Sequence, residues 1–469
     1  MPKGLARFLL YAAILLVALA GFNEASDFGI SPVWIFLAAI LLPCLLIALA
    51  KFPAAFFIPL LFISRQKELP IPAPIRHVID VTALPLGAAL LGVALIFRLI
   101  DRRNRRGAFS LGDLFRGQGK GIATFLLFAA VVTTSYLYTR APGYGGDKLV
   151  SFLTVGALMF FAPFIILEDD RDFRHFAIGT IAFGLMLAFA RIIAGSQGVF
   201  GQHEEVTHIG IGQLMGMAIL LVLNYKFVES RAARNLLILC LPLLAAGLIA
   251  AEARGPLLAL LPILVASLFI RRREMSLISP RAAMLGVAVI VAALVIVPGQ
   301  WFQGEAAKKF QVKSQELVEF AQGGSYSEKG SGGRRLVFFD AALDGIAEKP
   351  AAGWGVGGWA TYYWHNDAWE YPHNLFLEVG VEEGLLGLAA LLAFLAIAFK
   401  AAKKAFDEAS GRFAFVLPVV AYCVLLTLSS GDIDDNRFLW FWCSVAFVAC
   451  RMISSDRQEE APASPVSVS

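Results

Sequence analysis

The chain has 469 residues, of which 58% are hydrophobic and only 16% charged, and its mean hydropathy is +0.70. Soluble domains carry about 25% charged residues, so an ordinary soluble domain is excluded. The net charge of +4 is too modest to argue for any partner, and no nucleic-acid partner is expected.

The start, "MPKGLARFLLYAAILLVALAG", has the positive residues and apolar stretch of a signal peptide. Further apolar runs follow directly, so it reads as a first transmembrane helix. Each run approaches the ~20 residues a helix needs to cross the hydrocarbon layer. Candidate spans lie near 4–22, 31–50, 52–63, 77–99, 121–139, 148–167, 175–194, 209–228, 235–251, 256–270, 282–298, 373–399, 412–430 and 436–453. The third, "FPAAFFIPLLFI", is short and Pro-rich, and is either re-entrant or merged with its neighbour. The expected fold is an all-α polytopic transmembrane bundle of 12–14 spans, since spanning strands would alternate polar and apolar residues. It divides into N-terminal transmembrane helices (1–298), a long extracytoplasmic loop (299–372), C-terminal transmembrane helices (373–453) and a disordered tail (454–469). The five cysteines all lie in apolar runs and read as small buried residues.

Orientation follows from the basic loops. "DRRNRR" (101–106), "KFVESRAAR" (226–234), "RRRE" (271–274) and "KAAKK" (400–404) fall on one side if the spans alternate. That side is read as cytoplasmic, with both termini. "APGYGGD" (141–147), "EARGP" (252–256), the 299–372 segment and "SGDIDDNR" (430–437) then lie outside. No internal repeat is visible, which weighs against a carrier built from two related halves.

The outer loop holds two helical patterns. In 305–322, Phe310, Leu317, Val318 and Phe320 give one apolar side. In "RRLVFFDAALDGIAEKP" (334–350), Leu336, Phe339, Leu343 and Ile346 share a face, and Pro350 ends the helix. Arg334 and Arg335 head this second helix, where free N–H groups favour an anion. Two readings stand: a phosphate or pyrophosphate ligand, or anionic lipid headgroups. "PAAGWGVGGW" (350–359) reads as a tight aromatic turn, because a Rossmann glycine loop would need a preceding strand. The rings of "YYWHNDAWEYPHN" (362–374) suit either the membrane interface or stacking on sugars.

Charged groups recur at this outer boundary. Glu252 and Arg254 sit in an almost loop-free turn, and Arg191 is embedded near the outer end of an apolar helix. Ionisable residues at such positions are functional candidates, with a snorkelling or internally paired arginine as the other reading. Arg191, Arg254, Arg335 and His373 map to one face of the membrane. Arginine grips phosphate oxygens with a planar fork, and histidine takes a proton near neutral pH. Together they fit attack by a hydroxyl on a carbon whose leaving group is a lipid pyrophosphate, with His373 as base. Glu378 and Glu382, one turn apart, are expected to point into the same cavity, and Asn374 to orient the histidine ring. Glu383 has no assigned role. The histidines lack the spacing of a metal site, and neither a metal nor a cofactor is expected.

Three ordered motifs then resemble a known family. "ARGPLLALL" resembles the S-R-G-x-x-L signature of the O-antigen ligase/polymerase family. "GGRRLVFFDAALDGIAEKPAAGWGVGGW" resembles its R-L-x-x-W-x-x-A-L…P-x-x-G-x-G loop pattern, and "HNLFLEVGVEEGLLGL" its H-N-x-x-L-E-x-x-x-E-x-G-x-x-G-L pattern. The resemblance covers about residues 250–390. It implies a bacterial inner-membrane, metal-independent, inverting glycosyltransferase working at the periplasmic face. The implied donor is an undecaprenyl-pyrophosphate-linked glycan. The acceptor is lipid A-core for a ligase or another lipid-linked repeat for a polymerase. The implied base falls on His373 and the implied pyrophosphate-binding arginines on Arg254 and Arg335, with Arg191 as a further correspondence. Two positions depart from the pattern: the loop tryptophan is Phe339, and an apolar position is Glu383. The rival from another class is a polar-lipid transporter or flippase, in which the arginines line a path without chemistry.

Overall fold

The computed structural model describes residues 117–194, 204–224, 231–251, 254–269, 331–408, 411–429 and 431–460, together with isolated positions 54, 92, 96, 100, 112 and 115. The expected spans before residue 100 and at 282–298, the helix at 305–322 and Glu252 lie outside the described residues.

The described chain is helical, and no strand occurs among the described residues. α1 (Gly119–Ser135) leads to α2 (Pro142–Ser151), which opens on a proline at its first turn, where a missing N–H costs nothing. One π-helical turn, Phe152–Gly156, joins α2 to α3 (Ala157–Ile166). There follow α4 (Asp170–Ala194), α5 (Glu204–Asn224), α6 (Arg231–Ala250) and α7 (Arg254–Phe269). The loop helix is α8 (Ser331–Glu348), followed by a short α9 (Gly358–Tyr363). The remainder is α10 (Leu375–Glu382), α11 (Gly384–Glu408), α12 (Val416–Leu426) and α13 (Arg437–Glu460).

Among the described residues, four stretches are long and apolar enough to cross a membrane: Pro142–Ile166, Asp170–Phe189, Gly384–Asp407 and Arg437–Ser454. With the shorter apolar helices α1, α5, α6, α7 and α12 they form a helical membrane bundle. α13 is its centre, with Trp440, Phe441 and Trp442 fully buried. Phe125 of α1 and Phe160 of α3 stack at 3.9 Å, and Trp440 packs edge-on against Phe125 and Phe152. Aromatic pairs of this kind add to plain area burial. Small residues let other helices close in: a Cβ on Gly247 would lie 2.4 Å from the Cβ of Ala188, so α6 and α4 touch nearly backbone to backbone.

Three expectations are corrected. The span expected at 373–399 is two helices. α10 ends at Glu382, and the chain turns through Gly384, whose φ of 68° suits glycine, before α11 begins. Eight residues rise only about 12 Å, so α10 does not cross a membrane and the glutamates belong to it rather than to a span. The expected apolar face of α8 is also rotated. Phe338 and Ala342 are buried while Leu343 is 56% exposed. The reason is close approach: Gly345 faces Val381, and Gly380 of α10 faces Ile346, at distances that a methyl group would violate. A pattern of large apolar residues misses an interface made by small ones. Finally, α13 continues to Glu460, so residues 454–460 of the expected disordered tail are helical; the good helix formers Arg457, Gln458, Glu459 and Glu460 extend it.

The bundle has two chemically distinct ends. At one, Arg412 pairs with Asp170 at 2.9 Å and Arg451 donates to the Leu167 carbonyl. At the other lie Asp367, Glu378, Asp432 and the segment carrying His373.

Candidate active site

The glycine-rich turn builds the floor of the site. Gly353, Gly355 and Gly357 all have positive φ. Trp354 and Gly355 donate backbone N–H groups to the Val381 and Glu382 carbonyls (2.9 and 2.7 Å), which α10 leaves free at its end. In return, Leu385 and Leu386 at the start of α11 donate to the Pro350 and Ala351 carbonyls. From α1's end, Tyr138 donates to the Ala352 carbonyl (2.6 Å) and Thr139 to the Val356 carbonyl (2.8 Å). A Cβ at Gly355 would sit 2.6 Å from the Thr139 Cα, on a backbone with φ +86°. Gly355→Ala is therefore expected to cost about 1–3 kcal/mol, measured as a lower thermal midpoint of the detergent-solubilised protein.

Above this turn, Phe338, Ala342, Trp359 and Val381 form a small separate core, with Trp354, Tyr362 and Tyr363 packed on it. Trp359 and Tyr363 stack at 5.2 Å. Tyr362, Tyr363 and Tyr371 of the aromatic run 362–374 thus serve packing, whereas Trp364 and Trp369 remain exposed.

His373 sits at the edge of this core. Its φ is 57°, a left-handed conformation uncommon outside glycine, which His365 of the same segment shares. The ring lies parallel to Phe338 at 6.3 Å and edge-on to Tyr371 at 4.5 Å. No hydrogen bond holds the imidazole among the described residues. Burial, then the positive charges of Arg335 and Arg334, push its pKa down from 6.5 to about 4. The imidazole is therefore neutral at pH 7, and a weaker base than an ordinary histidine.

α8 begins at Ser331, so Arg334 and Arg335 lie at the end of its first turn rather than at its head. They do different work. Arg334 is half-exposed, pairs with Glu370 at 2.8 Å and lies over Phe338; such a surface pair is worth about 0–1 kcal/mol. Arg335 is more buried and no carboxylate pairs with it among the described residues. Burial lowers its pKa, opposed by nearby Tyr371. A partly desolvated guanidinium without an internal counter-ion is suited to an anionic ligand.

Arg254 is the first residue of α7, and Arg191 lies in the last turn of α4; their side chains lie outside the described residues. The backbone nevertheless brings both positions to the same end of the bundle. A Cβ on Gly255 would lie 3.1 Å from Ser429 Oγ, and the neighbouring Leu428 carbonyl accepts a bond from Asn374. Ala188, one turn before Arg191, touches Gly247 near the end of α6.

Asn374 and the glutamates behave differently from expectation. Among the described residues Asn374 makes no hydrogen bond to the histidine ring; it caps α10, its side-chain oxygen accepting from the Phe376 and Leu377 N–H groups at 3.0 and 3.2 Å. Glu378 and Glu382 do share a face, but that face meets Lys148, the first residue of the span expected at 148–167. Lys148 is fully buried and bonds both carboxylates, Glu382 at 2.7 Å, with Asp432 at 4.0 Å. Tyr144 donates its hydroxyl to Asp432, and Ile433 its N–H to Glu378 at 3.1 Å. Three carboxyl groups around one ammonium form a structural knot rather than the wall of an open cavity. A lysine inside an apolar run was the available signal, since such a residue demands a partner. Glu383 also gains a partner: it is buried and accepts from Ser135 Oγ at 3.2 Å, and Ser135 in turn accepts from the Val356 N–H.

Among the described residues no group of three His, Cys, Asp or Glu side chains is placed to hold a metal ion. Residues 239–392 match the family model described as O-antigen ligase, a region that runs from α6 into α11 and includes His373. No curated protein matches the chain. The matched domain supports an O-antigen ligase/polymerase-type function in surface-polysaccharide biosynthesis, set in a helical membrane protein.

Proposed function

We propose that this chain, which carries the O-antigen ligase domain of the O-antigen ligase/polymerase family, moves a glycan from undecaprenyl pyrophosphate to an acceptor hydroxyl at the periplasmic face of the bacterial inner membrane. The observation that carries the reading is a half-buried imidazole, packed on Phe338 within the matched domain and close to the Arg335 guanidinium, with which no carboxylate pairs among the described residues. The acceptor hydroxyl attacks the anomeric carbon and gives its proton to His373. The new C–O bond forms as the bond to pyrophosphate breaks, the pyrophosphate leaves with the electron pair, and the carbon inverts. Arg335, with Arg254 and Arg191, stabilises the charge gathering on the leaving group. Fixed guanidinium groups supply this charge, so the reaction is metal-independent. The 299–372 region is read as the periplasmic loop, and its described helices α8 and α9 pack against α10 beside His373.

The test is incubation of the purified protein with lipid-linked glycan and candidate acceptors. Release of undecaprenyl pyrophosphate with transfer of the glycan supports the reading. Movement of lipid across a bilayer without release would replace it with a transporter. Gel analysis of surface polysaccharide in a deletion strain separates the two acceptors: loss of all capped lipid A-core indicates a ligase, and caps of one repeat indicate a polymerase.

Arg335→Lys keeps the charge but loses the planar fork. One charge-assisted hydrogen bond is worth about 1.5–3 kcal/mol, so kcat/KM for the donor is expected to fall about 10–100-fold. Arg335→Gln also removes a charge that disfavours imidazolium. The acid limb of kcat/KM should therefore move to higher pH, and an unmoved limb would detach Arg335 from His373.

A further inference from the structure

α2 lies outside the matched region, yet it grips the polypeptide on both sides of His373. Upstream, the Gly143 and Tyr144 N–H groups donate to the two oxygens of Asp367, at 2.7 and 2.9 Å. A carboxylate there satisfies free donors of the α2 N-terminus and complements its dipole. Downstream, Lys148 bonds Glu378 and Glu382 on successive turns of α10. Tyr144 adds a third tie through Asp432, whose neighbour Ile433 donates to Glu378. His373 lies between these attachments, six residues after Asp367 and five before Glu378.

The imidazole makes no hydrogen bond of its own among the described residues, and its backbone is in a left-handed conformation that is uncommon outside glycine. Its place must come from ring packing and from the segments on either side. We infer that α2 is a positioning clamp for His373, with Asp367 and Lys148 fixing the two ends of the segment that carries the base. The inference rests on the reading of His373 as the base. Neither Asp367 nor Lys148 touches reacting atoms, so both are positioning residues.

Asp367 is exposed and its removal spares the buried core, so Asp367→Ala is the decisive variant. Two readouts are combined on the full-length protein in detergent. The first is the titration of His373 by NMR of histidine labelled with 13C at Cε1, assigned by His373→Ala. The groups facing the ring are Arg334 and Arg335 of α8 and Tyr371 of its own segment. Loosening the segment lets water reach the ring and draws it away from the arginines. The titration is expected to move up from about 4 toward the ordinary value near 6.5. The second is glycan transfer, in which kcat should fall about 10–100-fold, as for a slightly misplaced group, while donor KM changes little. Lys148→Arg, which keeps the cation, should retain more kcat per folded molecule than Lys148→Gln. If Lys148→Gln fails to fold, Asp367→Ala decides alone. An unmoved His373 titration together with wild-type kcat in Asp367→Ala overturns the clamp. Wild-type transfer by His373→Ala would instead overturn the base, and the NMR titration would still judge the clamp.

Discussion

His373→Ala is expected to lower glycan-transfer turnover by about 10²–10⁴-fold, with donor KM little changed because the arginines remain. General-base catalysis needs a neutral acceptor within reach of the hydroxyl, and burial plus two guanidiniums keep this imidazole neutral. Added imidazole should recover part of the lost rate; substantial turnover by the variant would assign proton removal elsewhere. The pH behaviour has a definite sign. The folded value of about 4 lies below the ordinary 6.5, so the unfolded chain binds this proton more readily. The histidine is neutral in both states above pH 6.5 and costs nothing there. As pH falls from 6.5 toward 4, protonation favours unfolding and stability drops. His373→Ala should remove that share of the decline. Donor binding should act the other way: pyrophosphate neutralises the arginines, so the acid limb of kcat should lie above that of kcat/KM.

The second large effect concerns stability. Lys148→Met leaves Glu378, Glu382 and Asp432 buried without their cation. Breaking a buried ion pair from one side costs about 3–5 kcal/mol, and here two carboxylates lose a direct bond. The expected result is a large fall in thermal midpoint and in folded yield. Glu382→Gln should cost less, because Lys148 keeps Glu378 and one surplus carboxylate disappears. Thermal unfolding of the two variants side by side tests the ranking; a Lys148→Met protein as stable as wild type would show that the knot carries little stability.

What could be read from the chain alone follows the range of the interactions involved. Apolar runs of about 20 residues report helices wherever they occur, so α4, α11 and α13 were visible. The histidine and the loop arginine stand out because both are costly at a membrane boundary. The break between α10 and α11 was hidden, because Glu383 and Gly384 look ordinary until the turn at 350–355 is placed against them. Lys148 meets its partner 234 residues away, a distance over which no local pattern carries information. Asn374 illustrates a different failure. An asparagine before an apolar run is a helix-start signal, and its side-chain oxygen is taken up by that cap rather than by the adjacent ring. Small residues misled in the same way at α8, where Ala342 and Gly345 make the contact that Leu343 was expected to make.

The exchange of hydrogen bonds between the 350–355 turn and the ends of α10 and α11 has a consequence for how substrates reach the base. Four backbone groups that a broken helix would strand are completed by this turn: the Val381 and Glu382 carbonyls and the Leu385 and Leu386 amides. Swinging the turn outward would leave them all unsatisfied, at about 1–3 kcal/mol each. It is therefore a splice within a helix and not a hinge. Opening of the site on the time scale of turnover is expected on the other side of His373, in the exposed residues Trp364, His365 and Asn366 ahead of the Asp367 tie to α2, while the spliced side stays as rigid as the bundle itself.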